Sequence, residues 1–341
     1  MKVREERIEK FYEMKEKIGE GSFGQVYRAL CLSSGEERAI KVLKMGNSSE
    51  GRQSTEFLKE MTLLSRLNHP AIIKLYDLFH CRNKYFVVME YCRGGAIVDI
   101  LRKCKKKSEK IIANILKQLL GALAYMHSLN IVHRDIKLDN MVFLNKVDTL
   151  EGDQFIPVKI IDFGTAVHCR HRSVHGYPIT GTLSYLAPEV INKTLTAKSD
   201  IWSSAVLMHI LLTGVSPFKD RNQSATKHNI VNKKLNFHQS PLNKLSKEAK
   251  ELMEMMFQRN YKERISAKDA LQHQWFRDDL PAVEFSHKYL ERLENFERGN
   301  NLLAVIQTYL CLKKINQEER QRYAEMFSAI DSNGNGLIEA D

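Results

Sequence analysis

Paired cysteines are absent from this sequence. Its six cysteines are scattered over 341 residues, and no two of them form a CxxC pair. A structural zinc site or a disulfide framework needs closely spaced cysteines, whereas scattered thiols are typical of reducing compartments. We therefore expect a cytoplasmic protein with neither a structural zinc nor disulfides.

Long apolar runs are also absent. A membrane-spanning helix needs roughly 20 consecutive apolar residues, and no stretch of the chain approaches that length. The first six residues, MKVREE, resemble neither a secretory signal nor the glycine-two sequence that precedes myristoylation. We expect no transmembrane segment.

Apolar residues and positive charge are plentiful. Hydrophobic residues make up 43% of the chain, which is enough for a large core and about two domains. The formal net charge of +11 would suit nucleic acid or an anionic membrane. However, the densest basic run, residues 102–107, precedes the apolar spacing of a core helix at 111–126, so a solvated helix end explains it more simply. We expect no nucleic-acid partner.

The patterns change once along the chain. Residues 12–91 favour short strands with one helix, and residues 92–276 favour long helices. This order predicts an α+β fold in which a small β-rich N-terminal lobe precedes a large helical C-terminal lobe.

A glycine-rich stretch lies in the first strand pair, at residues 18–26. Its glycines let backbone amides approach phosphate oxygens without a side-chain clash. A dinucleotide fold would need a helix directly after the glycines, but residues 25–30 continue as a strand. The candidate nucleotide contacts here are Ile18, Gly19, Glu20, Gly21, Ser22, Phe23, Gly24, Gln25 and Val26.

The most informative stretch is IVHRDIKLDN at residues 131–140, which is followed by Asp-Phe-Gly at 162–164. In phosphoryl transfer a carboxylate accepts the proton of the attacking hydroxyl, a lysine neutralises phosphate charge and oxygen ligands hold magnesium. The spacing predicts that Asp135 is the carboxylate and Lys137 the lysine. The predicted magnesium ligands are Asn140 and Asp162.

A single lysine, Lys41, interrupts an apolar strand at residues 38–42, and an amphipathic helix follows at 57–67. Within that helix Glu60 lies near the apolar face. An ion pair between Lys41 and Glu60 would direct the lysine toward the α- and β-phosphates of a nucleotide. We therefore expect catalytic roles for both residues.

Together these motifs resemble a eukaryotic protein kinase domain over residues 12–276. The glycine loop, strand lysine, helix glutamate, His-Arg-Asp loop, Asp-Phe-Gly and an Ala-Pro-Glu at 187–189 occur in the family's order. The resemblance implies ATP as the phosphate donor and magnesium as the cofactor. It implies a nucleotide pocket formed by Val26, Ala39, Lys41, Met89 and Val142, with Glu90 and Cys92 in its hinge.

The same resemblance implies two structural anchors and an acceptor. Asp200 would begin a buried central helix, and Arg264 would pair with Glu189. Lys137 and Thr182 resemble the serine/threonine branch of the family, so protein Ser and Thr hydroxyls are the expected substrates.

Two alternatives stay open. One is a catalytically inactive, calcium-responsive scaffold with a kinase fold, which the complete catalytic set argues against. The other is a calmodulin-regulated kinase, whose tail would be expected to offer a basic amphipathic helix. Residues 297–312 contain few basic residues.

The segment at residues 163–188 contains no acidic residue. In many kinases the arginine before the catalytic aspartate, here Arg134, is held by a phosphate or a carboxylate. Pro178 stands where the phosphorylated threonine is common. We hypothesise that activity does not depend on phosphorylation there, with Thr180 and Ser173 as fallback sites.

The tail beyond residue 276 has a different pattern. Apolar stripes at 285–312 predict packed helices, and DSNGNGLIEAD at 331–341 matches the opening of an EF-hand loop. The loop stops at its eleventh position, before the bidentate acid. We therefore expect weak calcium binding by a fragment of a longer protein. The candidate calcium ligands are Asp331, Asn333, Asn335 and Leu337.

The kinase domain, the helices and the EF-hand together resemble the calcium-dependent protein kinases of plants and protists. That resemblance implies a junction at 277–316 that inhibits the kinase domain. It also implies an intramolecular calcium sensor that begins at 317–341 and relieves the inhibition when calcium binds. We expect a monomer.

Overall fold

The computed structural model describes residues 3–21, 24–44, 57–58, 60–81, 83–103, 109–148, 155–169, 173–176, 178–239 and 242–277. The predicted junction, from residue 278 onward, and the predicted EF-hand lie outside these residues. The tail therefore remains a prediction from sequence.

The N-terminal lobe is built on a five-stranded antiparallel sheet in the order β1-β2-β3-β5-β4. Its strands are β1 (Tyr12–Gly21), β2 (Gly24–Cys31), β3 (Glu37–Lys44), β4 (Leu75–Cys81) and β5 (Lys84–Glu90). Helix α1 is described at residues 57–58 and 60–64.

Strand β3 shows how the sheet divides its two faces. Successive side chains of a strand point to opposite faces. Ile40 and Val42 join one apolar cluster, whereas Leu43 joins a second cluster with Met61 of α1. Lys41 therefore faces the side of the sheet that α1 covers, as the predicted pairing with Glu60 requires.

The chain before β1 also belongs to this sheet. The Arg4 amide donates to the Leu78 carbonyl at 2.8 Å, and the Arg4 carbonyl accepts from the His80 amide at 2.8 Å. Ile8 is 1% exposed and packs in the same apolar cluster as Ile40. The sequence patterns did not predict this docking, which precedes the expected domain start at residue 12.

The C-terminal lobe is mainly helical. Its helices are α2 (Ile97–Lys103), α3 (Glu109–Ser128), α4 (Pro188–Ile191), α5 (Ala197–Thr213), α6 (Gln223–Asn232), α7 (Lys247–Met256) and α8 (Ala267–Ala270). Short strands order its loops: β6 (Gly95–Ala96), β7 (Ile131–Val132), β8 (Met141–Phe143), β9 (Val158–Ile160), β10 (Val167–His168), β11 (Val174–His175) and β12 (Thr194–Leu195). Of these, β6, β8 and β9 form a three-stranded sheet, β7 pairs with β10, and β11 pairs with β12. The 3-10 turns described along the chain are Ile8–Lys10, Leu138–Asn140, Leu183–Tyr185, Leu242–Lys244 and Gln274–Phe276.

Helices α3 and α5 form the centre of this lobe. α3 spans the core helix that the apolar spacing predicts at 111–126. α5 begins with a capping box between Thr196 and Ser199 and ends at Gly214, whose φ of 77° suits glycine. Trp202 in α5 is fully buried. The predicted buried central helix and the α+β bilobal fold are confirmed.

A buried ion pair joins α4 to the loop before α8. Arg264 Nη1 and Nη2 donate to the two carboxylate oxygens of Glu189 at 2.7 and 2.9 Å. The side chains are 0% and 5% exposed. A bidentate geometry of this kind offsets much of the cost of burying both charges. The pairing that the kinase resemblance implies is confirmed.

Two expected absences concern only the described part of the chain. The four cysteines it contains form no disulfide. No helix there is both long enough and apolar enough to cross a membrane.

Removing the buried side chain of the N-terminal segment should destabilise the sheet. We expect Ile8→Ala to lower the free energy of unfolding by about 2 to 5 kcal/mol, since truncating a buried isoleucine loses apolar contacts and leaves a cavity. Urea unfolding measures the loss. Glu9→Ala, at an exposed neighbouring position, serves as the control and should stay within about 0.5 kcal/mol. Equal stability of Ile8→Ala and the parent would contradict the docking.

His69 is a buried neutral base after α1. Its Nδ1 accepts from the Ala71 amide at 3.1 Å, and its ring stacks on Tyr125 with centroids 5.6 Å apart. Its Nε2 has no hydrogen-bond partner among the described residues. Burial, with a smaller contribution from Lys159, lowers the pKa of His69 from 6.5 to about 3.

This depressed pKa should make stability fall in mild acid. Between pH 6.5 and about 3, the unfolded chain binds a proton at His69 that the folded chain excludes. From pH 7.5 to 5.5 the contribution amounts to about 1.4 kcal/mol. We expect His69→Asn to reduce the loss of unfolding free energy over this interval by that amount. An unchanged slope in His69→Asn would refute the prediction.

Candidate active site

The catalytic loop is held by one buried carboxylate. Asp200, 1% exposed in the first turn of α5, accepts from the backbone amides of His133 at 3.0 Å and Arg134 at 2.9 Å. His127 of α3 adds an Nε2 contact at 2.8 Å. Burial alone would raise the pKa of Asp200, but the hydrogen bond and charge of His127 and the His133 contacts hold it below its usual range. Asp200 is therefore an ionised anchor, as the kinase resemblance implies.

Asp135 lies at the centre of the loop and gathers four donors. Lys137 Nζ donates to Oδ2 at 2.7 Å, and Asn140 Nδ2 donates to the same oxygen at 3.1 Å. The backbone amide and the hydroxyl of Thr182 each donate to Oδ1 at 3.0 Å. Three residues predicted from the catalytic loop, Asp135, Lys137 and Asn140, thus meet at one carboxylate.

These donors set the protonation state of Asp135. Its partial burial favours the neutral acid, but the Lys137 contact and the Thr182 donors outweigh this and lower the pKa of Asp135. The group is therefore a carboxylate at neutral pH. It can accept a hydrogen bond from a hydroxyl, and its basicity in the resting state is low.

Asp162 follows β9 in a left-handed backbone conformation, with φ of 66°. The Gly164 amide donates to Asp162 Oδ1 at 3.2 Å. A Cβ on Gly164 would lie 3.2 Å from that oxygen and 3.6 Å from Glu60 Oε2. Glycine therefore leaves room for Asp162 and Glu60 to approach the same point from the two lobes.

Glu60 is partly buried near Lys41 and Asp162. Burial, opposed by the charge of Lys41 and reinforced by that of Asp162, raises the pKa of Glu60 to about 7. Lys41 and Glu60 are thus close enough for their charges to interact. Their catalytic pairing stays a prediction that this proximity supports.

The described residues contain no cluster of three or more His, Cys, Asp or Glu side chains that could hold a metal by itself. Magnesium does not require one, because it binds one or two carboxylates and takes its remaining ligands from water and substrate phosphates. The Asn140 amide nitrogen donates to the Asp135 carbonyl at 2.8 Å, so its oxygen is the atom with metal-ligand chemistry. Asp162 and Asn140 therefore suit magnesium bound together with a nucleotide.

The predicted phosphate loop is the hairpin between β1 and β2. Gly19 pairs with Val26, Glu20 with Gln25, and Gly21 with Gly24. A Cβ on Gly24, whose φ is 146°, would lie 2.1 Å from the Val42 carbonyl oxygen. The glycine requirement at this position comes from the adjacent strand β3. Two predicted contacts at the tip, Ser22 and Phe23, lie outside the described residues.

The predicted hinge begins at the end of β5. Met89 pairs with Ala39 across the sheet, and Cys92 packs against the main core. Burial raises the pKa of Cys92 to about 12, so its thiol stays protonated. The Glu90 carboxylate contacts Lys159 Nζ at 2.7 Å.

The remaining predicted pocket residues lie around these elements. Ile18 is 43% exposed near the end of β1, and Ala39 is buried in β3. Val142 of β8 pairs with Ala96 and, on the other side, with Lys159.

Sequence reasoning missed two contacts of this site. It used Thr182 only to distinguish branches of the family, although Thr182 donates twice to Asp135. It did not identify His127, which contacts Asp200. His127 and Asp200 are 73 residues apart, and the sequence at the end of a helix does not indicate so distant a contact.

Comparisons with known proteins agree with this geometry. The protein kinase domain family matches residues 12–276. Calcium-dependent protein kinase 5 of Plasmodium berghei is 33% identical over 343 residues, which cover 97% of this chain and 58% of the relative. Calcium-dependent protein kinase 4 of the same organism is 33% identical over 331 residues, 94% of this chain and 61% of the relative.

A third relative, calcium-dependent protein kinase 5 of Plasmodium falciparum, is 33% identical over 328 residues, with 94% of this chain and 56% of the relative covered. The chain thus spans somewhat under two thirds of the length of the curated relatives it matches. From its family match and the meeting of the catalytic-loop residues at Asp135, the chain belongs to the protein kinase family and is similar over most of its length to calcium-dependent protein kinases.

Proposed function

We propose that this chain transfers the γ-phosphoryl group of magnesium ATP to serine and threonine hydroxyls of proteins. The observation that carries the proposal is the convergence of Lys137, Asn140 and Thr182 on the Asp135 carboxylate. The serine/threonine assignment is supported by Lys137 and Thr182, whose Nζ and hydroxyl are 3.0 Å apart. The kinase family match supports the reaction class.

The proposed reaction is an in-line displacement. The acceptor oxygen bonds to the γ-phosphorus while the bond between that phosphorus and the ADP oxygen breaks. Asp135 receives the hydroxyl proton. Because the pKa of Asp135 is lowered, the carboxylate first orients the hydroxyl and takes the proton as the new bond forms. Lys137 balances negative charge on the transferring group.

The other predicted residues bind and orient the nucleotide. Lys41, directed by Glu60, would contact the α- and β-phosphates. Magnesium held by Asn140 and Asp162 would neutralise phosphate charge when bound. The glycine hairpin would cover the phosphates with its backbone amides. The purine pocket is proposed to consist of Val26, Ala39, Met89, Glu90, Cys92 and Val142.

We further propose that calcium regulates the intact protein through its C-terminal region. The proposal is supported by the EF-hand pattern at 331–341 and by similarity to proteins named calcium-dependent protein kinases. Residues 285–312 would block the substrate groove, and a calcium-loaded sensor would release them. These tail residues lie outside the described part of the chain.

Removing the catalytic carboxylate tests the reaction. We expect Asp135→Asn to lower kcat by about 100- to 10,000-fold, because an amide orients a hydroxyl but cannot take its proton. Transfer of labelled phosphate from ATP to a serine peptide measures kcat. Asp148→Asn, an exposed change in the loop after β8, is the matched control and should retain full activity. Nucleotide binding without transfer by the parent chain would favour the inactive scaffold instead.

Removing the tail tests the regulation. We expect a chain that ends at Phe276 to be about 5- to 150-fold more active than the full chain, the range typical of allosteric coupling of 1–3 kcal/mol. Initial rates at matched concentration of folded protein give the ratio, and a peptide with the sequence of residues 285–312 should inhibit the shortened chain. If the two chains are equally active and the peptide has no effect, the tail does not inhibit this kinase domain.

A further inference from the structure

We propose that Thr180 is a positioning residue. Its hydroxyl holds residues 180–182 on the catalytic loop, residues 131–140, in place of a phosphate. The inference rests on the proposed function and deepens it. Under this proposal the uncharged contact between Thr180 and Arg134 orders the loop beside Asp135, so that activating phosphorylation is not needed.

The first observation is a group of three contacts made by Arg134, the residue before the catalytic aspartate. Its guanidinium donates to the Thr165 carbonyl at 3.3 Å, to the Pro178 carbonyl at 3.4 Å and to the Thr180 hydroxyl oxygen. All three acceptors are uncharged. Of these three acceptors, the Thr180 hydroxyl is the one provided by a side chain.

The second observation is the fit of the next two residues on the same loop. Gly181 has φ of 102°, and a Cβ there would lie 2.5 Å from the Arg134 carbonyl oxygen. Thr182 donates its amide and hydroxyl to Asp135. Thr180, Gly181 and Thr182 therefore lie in register along Arg134 and Asp135, and the Arg134 contact fixes one end of that register.

The third observation is electrostatic. Residues 163–188 contain no carboxylate, and Pro178 cannot be phosphorylated. This stretch therefore offers Arg134 neither a carboxylate nor a phosphate at residue 178. The neutral Thr180 hydroxyl supplies a side-chain acceptor for the charged guanidinium.

Matched substitutions separate the hydroxyl from the bulk of the side chain. Thr180→Val removes the acceptor at nearly constant volume, and Thr180→Ser retains it. A hydrogen bond to a charged group corresponds to roughly a tenfold to hundredfold effect. We expect kcat to fall by about that factor in Thr180→Val, with the KM for ATP unchanged, and to stay within about threefold of the parent in Thr180→Ser.

Amide hydrogen exchange gives a readout that does not depend on activity. The Thr182 amide is bonded to Asp135 in the absence of substrate, so its exchange should be about tenfold faster in Thr180→Val and unchanged in Thr180→Ser. An unchanged Thr182 rate in Thr180→Val would overturn the inference, whether or not the protein transfers phosphate. Faster exchange throughout α5 would also overturn it, because the effect would then be general destabilisation.

A double substitution tests whether Thr180 acts through Arg134. If it does, Arg134→Gln combined with Thr180→Val should be no slower than Arg134→Gln alone. Multiplicative losses would overturn the inference. So would loss of activity in the parent after phosphatase treatment, because a phosphate would then be required. If Thr180→Val is fully active while Asp135→Asn is inactive, the proposed function stands and only this inference fails.

Discussion

The arrangement around Asp135 depends on the buried charge of Asp200. The Asp200 carboxylate is 1% exposed and lies in the first turn of α5, where the helix dipole and three donors stabilise it. Two of those donors are consecutive backbone amides of the catalytic loop. The loop is therefore fixed by its main chain, and the side chains of Arg134 and Asp135 contact Thr180 and Thr182 respectively.

Much of this arrangement could be predicted from local sequence. Apolar spacing at 111–126 predicted the long core helix, and an apolar run at 38–42 with the single lysine Lys41 predicted a strand. The Glu189–Arg264 pair followed from resemblance, and it forms because two charges buried together need each other. Patterns of period 2 and 3.6 report which face of an element is buried, and motif order identifies the family.

Other features could not be read from local sequence because their partners are far apart. Ile8 precedes every recognised motif, yet it is buried in the small lobe, and Arg4 before it pairs with the edge strand β4. Thr182 reaches Asp135 across 47 residues. Gly24 appeared to be required by phosphate, whereas its nearest constraint is the backbone of β3. Each of these contacts depends on how distant segments meet, which no window of sequence contains.

The Glu90–Lys159 contact has a mechanical consequence. Glu90 ends the last strand of the small lobe, and Lys159 is a buried residue of β9 in the large lobe. Separating Glu90 from Lys159 would leave the buried Lys159 ammonium without this partner, and a buried charge that loses its partner costs several kcal/mol. The ion pair therefore opposes separation of the two lobes at this point. Because Lys159 is shielded from solvent, ionic strength should weaken this attraction little.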